Sequence, residues 1–302
     1  MGRLPDPPLT ADAAATIHSC IRPSTRAGYF LHWKKYMMYC INHQLQLNDC
    51  SPNQLVNFLS YLRTDQGLSV ATIKAAKSAI ISMLPDSVAP TLSSSRTVKR
   101  YLKGLDNMHP KAAKMPVWSL DDAVTKLGQY YFGFASLYDV FCHLATMLLL
   151  YSGRRVSELL FLCIDKDHMI VTDDSIVFQP LHGTKTDNTN VISVPWKFPD
   201  NNLFKLSVPR VVEHYLTLSS SRRGDCTRLF IAPLQTGQPA SLAMIRNAIA
   251  KTLPKLGVLS TPGSCRSAYA TAHLLAGLNI DELLVRGLWR SPDTVRNYYF
   301  RL

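Results

Sequence analysis

The 302-residue sequence lacks several features that would each indicate a particular class of protein. No apolar run is long enough to cross a membrane. The region after Met1 has no apolar core of the kind found in secretory signal peptides, so we expect a protein that is not secreted. No GxxxxGK[ST] loop for nucleotide phosphates is present. A transmembrane protein, a secreted protein and a P-loop ATPase are therefore all disfavoured.

Paired cysteines are also missing. The sequence has seven cysteines, an odd number, and none of them forms a CxxC motif. We interpret them as reduced thiols of an intracellular protein, because neither a disulfide framework nor a zinc site has this scattered pattern. They are Cys20, Cys40, Cys50, Cys142, Cys163, Cys226 and Cys265.

Glutamate is absent from residues 1–115, which carry 14 Lys and Arg against 6 Asp and therefore a net charge of +8. Residues 116–302 carry 19 basic and 15 acidic residues, a net charge of +4. Such a basic first part favours a polyanionic partner, and nucleic acid ahead of a membrane surface. Charge alone leaves open a soluble basic protein with no such partner.

The chain length and the helical periodicity predict two domains joined by a linker. We expect a flexible segment at 1–20, a helical domain at 21–108, a proline-containing linker at 109–118 and a second domain at 119–302. Helices are predicted at 24–43, from Ser51 through Leu62, at 69–84 and at 95–108. Basic residues on the last two helices and in the linker are candidate contacts to nucleic acid, although a solvated helix face is the alternative for each. They are Lys74, Lys77, Arg96, Lys99, Arg100, Lys103, Lys111 and Lys114.

The second domain is predicted to be mostly helical with a small antiparallel sheet. Helices are expected at 120–132, 136–151, 208–222 and 241–254. HMIVT (168–172), SIVFQP (175–180) and NVISVP (190–195) have the composition of short strands, and Lys185 would lie at a hairpin tip between the last two.

Three polar features stand out in residues 261–302. Thr261-Pro262 and Ser291-Pro292 have the pattern of helix starts. Arg266 follows the first of these, Trp289 precedes the second, and Tyr298-Tyr299 end the predicted last helix, 294–301. An arginine fork matches two phosphate oxygens, an indole N–H can donate to an anion, and a tyrosine hydroxyl can attack phosphorus. Three packed helices with a surface arginine are the alternative interpretation.

Four segments together resemble the tyrosine recombinase (phage integrase) family. They are YSGRRVSELL (151–160), HGTKTDNTN (182–190), CRSAYATAHLLAGLNIDELLVRGLW (265–289) and TVRNYY (294–299). Within the family, the sequence looks closest to mobile-element recombinases of the Crypton and DIRS type. The N-terminal helices, from STRAGYFLHWKKYMMYC onward, are similar to the DNA-clamping domain of that family.

The resemblance implies a role for each matched residue. Arg155, Lys185, Arg266, Trp289 and Tyr298 would be catalytic, and Glu158 would be the buried acidic partner of Arg155. Tyr298 is preferred to Tyr299 because it lies nine residues after Trp289, as the family's nucleophile does. One departure is Gly263, which stands where the family usually has a histidine that assists proton transfer. His182 and His273 are nearby substitutes.

The resemblance further implies a two-domain DNA clamp, with a helical core-binding domain and a mixed α+β catalytic domain. Such an enzyme would cleave and rejoin double-stranded DNA through a 3′-phosphotyrosyl intermediate, without a metal or another cofactor. It would act as a homotetramer on two duplexes to integrate or excise a mobile element, in the nucleus of a eukaryotic host or otherwise in the cytoplasm. A type IB topoisomerase-like enzyme and a catalytically inactive DNA-binding member of the fold are the alternatives.

Overall fold

The computed structural model describes residues 10–21, 23–110, 116–129, 136–181, 194–201 and 203–301. The chain divides into two compact units, Met1–Ala113 and Lys114–Leu302, and the division falls within the segment predicted as a linker. The protein is mostly helical, with one small antiparallel sheet in the second unit. Within the described residues, no helix combines the length and the apolar character needed to cross a membrane.

The first unit consists of helices. They are α1 (Ala11–Ser19), α2 (Pro23–Asn42), α3 (Pro52–Thr64), α4 (Val70–Met83), α5 (Ala89–Ser94) and α6 (Arg96–Met108). The side chains of Ser51, Ser69 and Ser95 each accept a hydrogen bond from a backbone N–H in the first turn of α3, α4 and α6. The four predicted helices are therefore present at nearly the predicted bounds. Helix α5 was not predicted, and α1 lies inside the segment for which we expected flexibility.

Aromatic and aliphatic side chains from α2, α3, α4 and α6 form the core of this unit. Tyr36 packs edge-on against Phe58 with the ring centroids 5.1 Å apart, and both side chains are fully buried. On α6 the apolar residues Val98 and Leu105 face this core. The basic residues of α6 consequently lie on its opposite, exposed side.

The second unit combines helices with a three-stranded sheet. The elements are α7 (Leu120–Gln129), α8 (Leu137–Ser152), a 3-10 helix (Val156–Phe161), β1 (Met169–Val171), β2 (Ser175–Phe178), β3 (Trp196–Pro199), a second 3-10 helix (Phe204–Leu206), α9 (Val208–Arg223), α10 (Leu242–Thr252), a third 3-10 helix (Leu253–Leu256), α11 (Ser264–Leu275), α12 (Ile280–Gly287) and α13 (Pro292–Thr294). A π-helical turn follows at Val295–Tyr299 and is called the tyrosine turn below.

Helix α8 is the central element of the second unit because it is apolar on all sides. It packs against α9, α10 and α11 and is buried along most of its length. A capping box between Ser136 and Asp139 begins it, and Gly153 ends it in the left-handed conformation with φ of 61°. The chain therefore leaves the core directly before Arg155.

The sheet has the order β1-β2-β3 and both pairings are antiparallel. The predicted position of the third strand, 190–195, was wrong for the part that the structure describes, because β3 starts at Trp196. Residues 190–193 lie outside the described residues. Trp196 and Phe198 point into the core and Lys197 points out, so the alternation that a half-buried strand needs begins only after Pro195, which has no N–H to donate.

Two predicted helix bounds near the C-terminus were also wrong. Helix α11 begins at Ser264 and not after Thr261, because residues 261–264 form a turn in which the Ser264 N–H donates to the Thr261 carbonyl over 2.9 Å. The predicted helix 294–301 is instead the tyrosine turn, closed by a 2.8 Å bond from the Phe300 N–H to the Val295 carbonyl.

Candidate active site

The turn at the end of α8 brings the first arginine to the site. Gly153 lies so close to Tyr269 that a Cβ atom there would be 2.3 Å from the Tyr269 ring, so both its φ and its surroundings require glycine. Its carbonyl oxygen accepts a 2.8 Å hydrogen bond from Nη1 of Arg266. The two halves of the site, which are 113 residues apart in sequence, are joined at this peptide group.

Arg155 and Glu158 form an ion pair at the start of the next helix. Nη1 of Arg155 lies 2.8 Å from Oε1 of Glu158, whose side chain is almost fully buried. The second carboxylate oxygen accepts from the Arg155 backbone N–H at 3.4 Å. A quarter of the Arg155 side chain, 26%, remains exposed. Glu158 thus fixes the orientation of Arg155, and part of the guanidinium still faces solvent.

Arg266 is buried near the start of α11. Its Nη2 donates to the Leu288 carbonyl at 3.4 Å, and its guanidinium carbon lies 4.0 Å from the centroid of the Trp289 ring. Burial lowers the pKa of Arg266, and repulsion from Arg155 lowers it further, whereas Tyr299 and Glu158 raise it. The guanidiniums of Arg155 and Arg266 therefore repel each other, and the negative charge of the Glu158 carboxylate partly offsets that repulsion.

Trp289 is held over Arg266 by the end of α12. Leu288 adopts the left-handed conformation, with φ of 49°, and the Trp289 N–H donates back to the Leu284 carbonyl at 3.0 Å. Gly287 is required beneath the ring, since a Cβ atom there would lie 1.8 Å from it. We call Arg155, Glu158, Arg266 and Trp289 the arginine cluster.

Two buried donors of the arginine cluster have no acceptor among the described residues. They are Nε of Arg266 and Nε1 of Trp289. A buried donor without a partner costs about 1–3 kcal/mol, so natural structures rarely leave one without a reason. Both side chains are more than nine-tenths buried, and an anion such as a phosphate would supply acceptors for both.

The tyrosine turn packs against the cluster through one of its two tyrosines. The Tyr299 ring lies 5.5 Å from Trp289 at 65° and 5.1 Å from the Arg266 guanidinium carbon. Hydrogen bonding by its side chain helps to raise the pKa of Arg266. Tyr298 is 62% exposed. The structure thus brings together Arg155, Glu158, Arg266 and Trp289, and it places Tyr299 against Arg266 and Trp289.

The remaining candidate residues for proton transfer are Lys185, His182 and His273. Lys185 and His182 lie outside the described residues. His273 stacks on Tyr269, with the ring centroids 3.9 Å apart, and its Nδ1 is 2.9 Å from the Tyr269 carbonyl. Burial of the imidazole lowers the pKa of His273, and the nearby positive charge of Arg286 lowers it further. The contacts that orient His273 are therefore those with Tyr269.

The candidate nucleic-acid contacts of the first unit differ in their environment. Arg96, Lys99, Arg100 and Lys103 are exposed on α6, and Lys77 on α4 is partly exposed. The exception is Lys74. Its Nζ lies 2.6 and 2.7 Å from the two carboxylate oxygens of Asp106, so it is already paired. Lys111 and Lys114 lie outside the described residues.

Sequence patterns did not identify four of the groups that build the site. The carbonyls of Gly153 and Leu288 are backbone groups, which leave no side-chain motif, and the hydroxyl of Thr271 binds backbone groups of Tyr299 and Arg301. Tyr299 was recognised only as the less favoured of two adjacent tyrosines. Gly287, two residues before Trp289, was an available signal, because a glycine can mark a place where another group packs closely against the backbone.

Solved structures similar to this chain are tyrosine recombinases and integrases. A XerH site-specific recombinase bound to palindromic difH substrate is 15% identical, with a TM-score of 0.62, over 90% of this chain and 75% of that one. The Tn1549 transposon integrase (residues 82–397) with circular intermediate DNA is 16% identical, with a TM-score of 0.59, over 96% and 94%. A lambda integrase dimer on a COC′ core site is 13% identical, with a TM-score of 0.51, over 95% and 75%.

Comparison of the sequence with known proteins gives no further relative. No protein-family model matches the chain, and no curated protein matches it. At such low identities the structural likeness shows the fold alone. The predicted fold class, mostly α with a small antiparallel sheet as in tyrosine recombinases, is confirmed.

Proposed function

We propose that this protein is a site-specific DNA recombinase that cleaves and rejoins DNA through a covalent phosphotyrosyl intermediate. The observation that carries the proposal is the arginine cluster: two interacting guanidiniums, with two buried donors lacking an acceptor among the described residues, beside a turn that contains tyrosines. A scissile phosphodiester supplies the anion that these donors need. The XerH, Tn1549 and lambda enzymes of similar fold were solved with DNA, which supports duplex DNA as the substrate.

In the proposed reaction, Arg155 and Arg266 bind the nonbridging oxygens of the scissile phosphate. They also neutralise the charge that develops in the pentacovalent transition state. Trp289 donates its indole N–H to the same group. Tyr298 gives its hydroxyl proton to a water molecule, and its oxygen forms a bond to phosphorus while the bond from phosphorus to the 5′ oxygen breaks. Lys185 protonates the leaving 5′ oxygen. Attack by the 5′ hydroxyl of another strand reverses these steps, so the phosphodiester energy is kept without ATP.

The biological setting is a further part of the proposal. The matched sequence segments look closest to recombinases of the Crypton and DIRS type, and one similar structure is a transposon integrase. We therefore propose that the protein integrates or excises a mobile element, as four copies on two duplexes. In a eukaryotic host it would act in the nucleus. The exposed basic side chains of α6 would contact DNA phosphates in that assembly, as would Lys111 and Lys114.

The test is capture of the covalent intermediate on nicked suicide duplexes of randomised sequence, because the target site is unknown. We expect adducts that survive denaturation, and sequencing of the captured DNA would give the preferred site. Tyr298→Phe should abolish the adduct and Tyr299→Phe should keep it. Absence of any adduct over the whole pool would favour a DNA-binding protein without cleavage activity. Adducts with no sequence preference, together with plasmid relaxation, would favour a topoisomerase.

A charge-conserving variant separates phosphate orientation from general affinity. Arg155→Lys keeps the positive charge beside Glu158 but loses the planar fork, so we expect cleavage to fall at least tenfold while DNA affinity changes little. Arg286→Lys is the matched control, because Arg286 lies on the same unit in an exposed pair with Glu282. Equal losses of binding and cleavage in Arg155→Lys would contradict the role given to Arg155.

A further inference from the structure

The tyrosine turn contains one more residue per turn than an α-helix would. Its closing bond runs from the Phe300 N–H to the Val295 carbonyl, five residues apart, where an α-helical bond spans four. In an α-helix, residue i+4 comes back near the face of residue i, whereas in a π turn residue i+5 does so. In the observed π turn, Tyr299 therefore lies near the face of Thr294. In an α turn, Tyr298 would lie near that face instead.

An isolated π turn is a rare structure that needs compensating contacts. Here the contacts come from Tyr299, whose ring packs on Trp289 and over Arg266. Thr271 on α11 adds two weaker bonds. Its hydroxyl donates to the Tyr299 carbonyl at 3.4 Å and accepts from the Arg301 N–H at 3.1 Å. The contacts that hold the π register therefore include the same guanidinium that would bind a phosphate.

We infer that Tyr299 holds the nucleophile's place in the protein without DNA, and that a shift of residues 295–299 from the π to the α register exchanges it for Tyr298. This rests on the proposed recombinase function. When a phosphate oxygen binds Arg266, it displaces the Tyr299 side chain and removes the main contact that stabilises the π turn. The backbone hydrogen bonds of the turn then span four residues instead of five, and the Tyr298 hydroxyl takes the position beside the arginines. The exposed Tyr298 is thereby kept from the arginine cluster until a substrate phosphate binds.

The first test needs no activity. The full-length protein without DNA is nitrated with limiting tetranitromethane, and the modified tyrosines are identified by mass spectrometry. We expect Tyr298, which is 62% exposed, to react well before Tyr299. Equal modification of the two would overturn the inference, because Tyr299 would then not be held. The result does not depend on whether the protein cleaves DNA.

The second test identifies the tyrosine that becomes attached to DNA. Adducts from the suicide pool are digested, and the peptide that carries the nucleotide is sequenced. We expect the wild-type adduct on Tyr298. An adduct on Tyr299 would overturn the exchange and leave the recombinase function intact. If neither tyrosine forms an adduct, the proposed function fails and the inference fails with it, whatever the nitration pattern.

The third test measures competition between the two tyrosines. Tyr299→Phe keeps the ring that packs on Trp289 but removes the hydroxyl, whose interaction raises the pKa of Arg266. Loss of this favourable interaction with a charged group should shift the register equilibrium about tenfold toward Tyr298. We therefore expect single-turnover cleavage by Tyr299→Phe to be about tenfold faster than by the wild type. An unchanged or slower rate would overturn the inference, since a residue needed only for packing gives no gain.

Discussion

Replacing Glu158 with glutamine tests how the first arginine is held. The Glu158 carboxylate is almost fully buried, it accepts a 2.8 Å bond from Arg155, and its charge also raises the pKa of Arg266. Glutamine has nearly the same shape and still offers one acceptor oxygen. The substitution therefore removes the negative charge and one of the two acceptor oxygens while nearly keeping the side-chain volume, so a loss of stability reports on the carboxylate.

The expected loss is about 2 kcal/mol. A hydrogen bond to a charged group contributes about 1.5–3 kcal/mol, and breaking a fully buried pair costs about 3–5 kcal/mol. The lower range applies because 26% of the Arg155 side chain is exposed, which screens the pair, and because glutamine keeps an acceptor. For a unit of this size, about 2 kcal/mol lowers Tm by about 4–8 °C.

Thermal unfolding followed by tryptophan fluorescence is a suitable assay, because three of the four tryptophans belong to the unit Lys114–Leu302. Glu282→Gln is the matched control. Glu282 pairs with Arg286 at 3.5 Å, and both side chains are more than half exposed, so its loss should cost less than about 0.5 kcal/mol. If the two glutamine variants unfold at the same temperature, Glu158 does not stabilise the arginine cluster as reasoned here.

Three further predictions concern other parts of the chain. Gly287→Ala should displace the Trp289 ring and lower Tm by several degrees, whereas Gly104→Ala, where a Cβ would meet nothing within 4 Å, should raise it slightly. Burial lowers the pKa of His143 from 6.5 to about 4, so the unfolded chain takes up its proton at a higher pH than the folded chain. The free energy of unfolding should therefore fall by up to about 3 kcal/mol from pH 6.5 to 4. His143→Gln should lessen this pH dependence in unfolding titrations. Gly263 has a φ of −64°, and a Cβ there would meet only the Thr261 hydroxyl at 3.8 Å. Gly263→His should therefore fold normally and, if a proton-transfer group is missing, cleave suicide DNA faster; an unchanged rate would show that nothing is missing at this position.

The sequence alone predicted the helical first unit, the central helix α8 and the small sheet. These follow from local rules: serine caps before α3, α4 and α6, apolar residues on every side of α8, and glycine at its end. The pairing of Arg155 with Glu158 was implied by the resemblance to tyrosine recombinases, and the two residues are three apart at the start of one helix, where side chains are neighbours. Local spacing was sufficient for these elements because the groups that begin and end them are close together in the chain.

Tertiary structure decided which tyrosine meets the arginines. A count along the chain favoured Tyr298, but the register of residues 295–299 depends on contacts with Arg266, Trp289 and Thr271, which lie up to 33 residues earlier in sequence. The start of β3 and the use of the Gly153 and Leu288 carbonyls as acceptors for Arg266 were hidden for the same reason. Backbone groups are identical at every position, so only the folded chain determines which of them a distant guanidinium will find.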